Sequence, residues 1–168
     1  CGLFKQGTNN QTLGGAMYGY HYVADHKARP SNEGHYALGE LLQSSNVDFI
    51  GAPVQYGDRA MGLSGEPMGS FDSLALYGKM FIVENDTRTH LVDGLPYPDD
   101  KAFRPRTYTL EQTLDELRRD TGNQVITGGG QYLMDINCKG WFKQEEIWDE
   151  YQKLISVQAS RYLLADDR

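Results

Sequence analysis

Cysteine is scarce here, with only Cys1 and Cys138 in 168 residues. Two thiols build neither a disulfide framework nor a cysteine-based metal cluster. Cys1 is where a mature bacterial lipoprotein would carry its lipid, but no signal peptide precedes it, and a cleavage boundary is the simpler expectation. The four histidines, His21, His26, His35 and His90, fall at no metal-ligand spacing, so no metal is expected. No apolar run is long enough to span a bilayer, and no membrane partner is expected. Positive charge is also short. Sixteen Lys and Arg face 23 Asp and Glu, a net charge of −7, which argues against a nucleic-acid partner and suits a neutral ligand such as a sugar. With no repeat, low-complexity stretch or linker, residues 1–168 read as one domain.

Four segments carry strand patterns: Ala16 to Val23, Val47 to Val54, Lys79 to Glu84 and Gln131 to Ile136. The last three are apolar runs with little polar alternation, as in strands covered on both faces. Helical patterns lie between them. Ser31 or Asn32 would cap a helix from Gly34 to Ser44, with Tyr36, Leu38, Leu41 and Leu42 on its apolar face. Gly69 to Tyr77 supplies a short helix. Thr109 and Gln112 form a capping box ahead of a helix from Leu110 to Ile126, with Leu110, Leu114, Leu117 and Val125 on one side. Another helix begins near Gln144. Repeated βα units call for a parallel sheet with right-handed crossovers. Four units are too few to close an eight-stranded barrel, and an open doubly wound sheet fits the same pattern.

In either architecture ligands meet the C-terminal ends of the strands. Those ends read Tyr22 to His26, Gln55 to Arg59, Glu84 to His90, and Asp135 to Asn137 with Trp141 beyond. Glu84 is the focus, because an apolar strand running straight into a carboxylate delivers it to the mouth of the sheet. Alternation puts it on the face of Met80 and Ile82, opposite Phe81 and Val83. Arg59 or Arg88 nearby would keep it ionised, which suits a nucleophile; a structural ion pair explains the same pattern. Asn32-Glu33 resembles an acid/base pair but directly precedes a helix, where a cap and a first-turn acid explain it better. Gly128 to Gly130 precedes a strand and so is no phosphate loop; no cofactor is expected. The 11 Tyr, 6 Phe and 2 Trp serve either core packing or sugar stacking, and composition does not choose.

The stretches VDFIGAPVQYGDR and GEPMGSFDSLALYGKMFIVENDTRTH, and then GGGQYLMDINCKGWF, resemble the second half of the barrel in β-galactosidase-like glycoside hydrolases related to family 42. The resemblance spans Gly15 to Tyr151 and is most specific from Lys79 to Thr89. It implies an α/β fold made of half a (β/α)8 TIM barrel, about four βα units corresponding to strands five to eight. It also implies a retaining mechanism with Glu84 as nucleophile. Tyr56, Arg59 and Arg88 would orient Glu84 or contact sugar hydroxyls, and Asp135 and Trp141 would line the cleft of a carbohydrate substrate. The family's strand-four Asn-Glu acid/base has no counterpart here, so the isolated chain is expected to be nearly inactive. A missing half-barrel or a second copy is the expected partner. A non-catalytic carbohydrate-binding half-barrel is the alternative.

Overall fold

The computed structural model describes residues 2–18, 35–92, 106–136 and 138–165. Its elements follow in the order α1 (Gly2–Gly7), β1 (Gly15–Met17), α2 (Leu38–Gln43), β2 (Phe49–Pro53), α3 (Phe71–Leu76), β3 (Met80–Asn85), α4 (Leu110–Thr127), β4 (Gly130–Leu133) and α5 (Glu145–Ala165). The four strands form one parallel sheet in chain order, β1-β2-β3-β4. Each crossover therefore moves one strand further in the same direction, without the reversal that marks a doubly wound sheet.

Register separates the two faces of the sheet. Ile50 pairs with Phe81, Ala52 with Val83 and Val83 with Gln131, so these side chains share one face. That face is covered: Ile50, Ala52, Phe81 and Val83 pack with Leu42 of α2, Leu74 of α3, and Val47, Val54 and Met68. The opposite face keeps Met17, Met80 and Tyr132 at 37, 39 and 41% exposure. A second core lies between α4 and α5, where Leu117 and Ile147 meet Val92, Trp141 and Phe142.

Between the cores, α4 turns a polar stripe to the sheet. Thr113, Glu116, Asp120, Thr121 and Gln124 are all buried beside Leu117. Of the expected apolar side of this helix, Leu110, Leu114 and Leu117 serve the second core, and Val125 is not part of it. Glu116 and Asp120 lie off its solvated face, which carries Glu111, Asp115 and Arg118. The helix ends follow the sequence: Thr109 Oγ1 accepts the Gln112 N–H at 3.2 Å, and Gly128 closes the C-terminus at φ 78°. Thr109→Ala should cost about 1 kcal/mol of stability in urea unfolding, with Thr109→Ser close to wild type.

Expected boundaries shift as well, the fourth strand ending at Leu133 and not at Ile136. Beyond Tyr18 the first predicted strand lies outside the described residues, as do the Ser31 or Asn32 cap and the Asn32-Glu33 pair. The following helix starts at Leu38 and not at Gly34. Here the chain is tied to Tyr18, whose hydroxyl accepts the Ala37 N–H at 2.8 Å and whose ring stacks on His35. Helix α1 escapes the sequence pattern because glycines bound it. It is fixed by Lys5, buried against Asp48 and the Thr12 carbonyl.

Candidate active site

Glu84 stands at the C-terminal end of β3 on the less covered face, between Pro53 of β2 and Tyr132 of β4. Strand alternation dictates this placement: Phe81, Val83 and Asn85 turn into the covered side, while Met80, Ile82 and Glu84 turn away from it. The Tyr132 hydroxyl donates to Glu84 Oε2 at 2.8 Å. Burial first, and then the neighbouring Glu84 carboxylate, push the Tyr132 phenol up to about 12. Tyr132 therefore stays a protonated donor across the physiological range. Its role was not read from the sequence. The signal was there in part, since Tyr132 shares strand parity with Glu84 once the β3–β4 register is known.

The other predicted residues divide into two groups away from that contact. Tyr56 and Arg59 lie on the loop after β2, with the guanidinium 4.5 Å over the Tyr56 ring. Arg59 is buried; its Nη1 donates to Asp86 Oδ1 at 2.7 Å and its Nη2 to the Val54 carbonyl. Its ion pair thus goes to Asp86, two residues past Glu84 and at the end of the strand.

Arg88, Trp141 and Asp135 form the second group. Arg88 is buried with its guanidinium 5.8 Å from the Trp141 ring. Trp141 is 2% exposed and belongs to the second core, so its ring offers no open stacking surface. Asp135 accepts the N–H groups of Lys139, Gly140 and Trp141 at 3.0, 2.6 and 3.0 Å, which closes the turn after β4. The same residue borders a shallow depression with Leu133, Phe142, Lys143 and the exposed Trp148. His90 is held by Thr113 and Gln144, each at 2.8 Å. Among the described residues, no three His, Cys, Asp or Glu side chains are arranged to hold a metal ion.

Behind β3 lies a buried charged cluster that the sequence did not announce. Asp120 accepts from Asn85 Nδ2 at 3.0 Å and pairs with Arg119 at 2.9 Å. Arg119 also donates to the carbonyls of Arg59, Ala60 and Leu63, and Asn123 to those of Ser64 and Gly65. The loop carrying Tyr56 and Arg59 is thus strapped to α4. Gly65 sits at φ +63°, and a Cβ there would collide with the Arg119 guanidinium. Glu116 completes the cluster. Its Oε2 is buried without a hydrogen-bond partner, and desolvation raises its carboxyl to about 8 despite Arg119 and Arg59. Burial pushes Asp120 up as well, against the pull of Arg119.

Compared with protein-family models, curated proteins and solved structures, the chain matches none.

Proposed function

We propose that this chain carries the nucleophile of a retaining glycoside hydrolase, β-galactosidase-like in substrate class, as half of a (β/α)8 barrel. The observation that carries the proposal is Glu84 at the C-terminal end of β3, on the less covered face of a singly wound parallel sheet. Ligands of parallel barrels meet the strands at that end and on the inward face. Retention needs a carboxylate that attacks the anomeric carbon and a second that protonates the leaving oxygen, about 5–5.5 Å away. Glu84 fills the first role, held by the Tyr132 hydroxyl. The acid/base belongs to the structure that closes the barrel over the open face. Tyr56 and Arg59 would act from their strapped loop, Arg88 and Trp141 as a packed support, and Asp135 as the former of the turn beside the cleft.

An activated 2-deoxy-2-fluoro-β-galactoside with a dinitrophenolate leaving group tests the nucleophile separately. The Glu84 carboxylate oxygen forms a bond to C1 while the C1–phenolate bond breaks, and the departing dinitrophenolate needs no proton from an acid. Incubated with the complete parent protein, the reagent should add one fluoroglycosyl group, located by peptide mass spectrometry on Glu84. Sugar binding without an adduct would favour the non-catalytic carbohydrate-binding alternative. An adduct on another carboxylate would remove Glu84 from the role.

A further inference from the structure

We propose that Asp120 of α4 is a positioning residue that joins the loop after β2 to the end of β3, making the rim of the site one preformed body. This role rests on the proposed function only in having Tyr56 and Arg59 meet the sugar.

Sheet pairing runs out beside Glu84. On the β2 side the last pair of β3 is Glu84 with Pro53, and on the β4 side it is Asn85 with Leu133. Residues 86–88 therefore leave the sheet at the rim where ligands of parallel sheets are met. Side chains take over there. Asp86 accepts from Arg59 at 2.7 Å, and Asn85 Oδ1 accepts the Thr87 N–H at 3.1 Å.

The loop from Gln55 to Glu66 is closed at its base. Val54 bridges Pro67 in antiparallel fashion, and the Gln55 N–H donates to the Glu66 carbonyl at 2.9 Å. Across its middle the Gly65 N–H reaches the Asp58 carbonyl at 2.9 Å. Its far side lies on α4, where Arg119 and Asn123 donate to the carbonyls of Arg59, Ala60, Leu63, Ser64 and Gly65.

Asp120 is where loop and strand end meet. On the loop side its Oδ1 accepts from Arg119 Nε at 3.0 Å and Nη2 at 2.9 Å. On the strand side its Oδ2 accepts from Asn85 Nδ2 at 3.0 Å and from Thr87 Oγ1 at 3.4 Å. Donors thus fill both oxygens of a side chain that is 1% exposed. An ionised carboxylate accepts at both oxygens, whereas an amide accepts at one end and donates at the other. Asparagine at this position would turn its NH2 group either on Arg119 or on Asn85 and Thr87. Burying the charge costs stability that apolar packing would not lose. What apolar packing would not supply is direction, because only a filled polar network fixes the loop and the turn at one angle to each other. Held in this way, Tyr56 and Arg59 keep their places relative to Glu84 without a closing motion.

Amide hydrogen exchange of the full chain carrying Asp120→Asn decides it. The Gly65 amide of the loop and the Thr87 amide of the turn should both exchange about tenfold faster or more, while amides in β2 and α5 keep their wild-type rates. Asn123→Ala, which cuts only the loop side, should speed Gly65 and leave Thr87 unchanged. Arg119→Lys keeps the charge but loses the planar fork, and it should speed both amides even if Asp120→Asn fails to fold. Acceleration of the loop alone in the Asp120 and Arg119 variants would overturn the proposal. Uniform acceleration along the chain would overturn it too, since that is what a merely structural role gives. In a closed barrel active on an aryl β-galactoside, Asp120→Asn should raise KM about tenfold and change kcat less, because Glu84 keeps its sheet pairing. A loss confined to kcat would overturn the positioning role. Absence of activity in the wild type would remove the glycosidase reading alone, with the exchange rates still deciding the joint.

Discussion

Glu116→Gln should flatten the pH dependence of stability, removing about 3 kcal/mol of difference between pH 5 and pH 8. Glu116 is 3% exposed, its Oε2 has no partner, and its carboxyl is raised from 4.5 to about 8 in the folded chain. A group whose folded pKa lies above its unfolded value binds protons more tightly when folded. Its contribution is therefore complete below pH 4.5, falls as pH rises, and is fully lost above about 8. Glutamine has no proton to lose, so that slope disappears. At pH 5 the variant should be no better than wild type, because its amide also lacks a partner at the Oε2 position. At pH 8 it should be clearly more stable. Urea unfolding of both proteins across this range gives the answer, and parallel curves would mean that Glu116 is solvated in the folded state.

The same helix shows where the sequence was legible and where it was not. Apolar periodicity located α4 and the Thr109 capping box marked its start, because those signals are local, whereas the closing role of Gly128 was not read. Glu116, Asp120 and Gln124 carried no sign of burial, since charged and amide residues on a helix ordinarily face water. Their burial depends on Arg59, Asn85, Asp86 and Arg119, brought together from three parts of the chain, and no spacing in the sequence encodes that meeting. The strand β3 was readable for a related reason. An apolar run ending in Glu-Asn-Asp fixes alternation by itself, and Glu84 lands with Met80 and Ile82 on the less covered side. Its neighbour Tyr132 required the register between β3 and β4, which is a tertiary fact. The tryptophans divide in the same way. Trp141 lies inside the second core and Trp148 is exposed, although both follow β4 in similar polar surroundings.

On the proposed mechanism, Glu84→Gln should lower turnover of an aryl β-galactoside by the closed barrel by ~10³-fold or more while the fold stays intact. The carboxamide has nearly the shape of the carboxylate, and its oxygen still accepts the Tyr132 hydroxyl, so packing at the end of β3 is preserved. What it loses is the anionic oxygen that the proposed mechanism uses to form the bond to the anomeric carbon. Two companions separate that loss from a structural one. Tyr132→Phe removes the donor that positions Glu84 and should slow turnover far less. Glu84→Ala opens room beside Pro53 and Tyr132 for a small external nucleophile, so azide should restore release of an activated phenolate and yield a glycosyl azide. Turnover in Glu84→Gln near the wild-type rate, with unchanged unfolding, would leave Glu84 as a hydrogen-bonded strand-end carboxylate with no part in the chemistry.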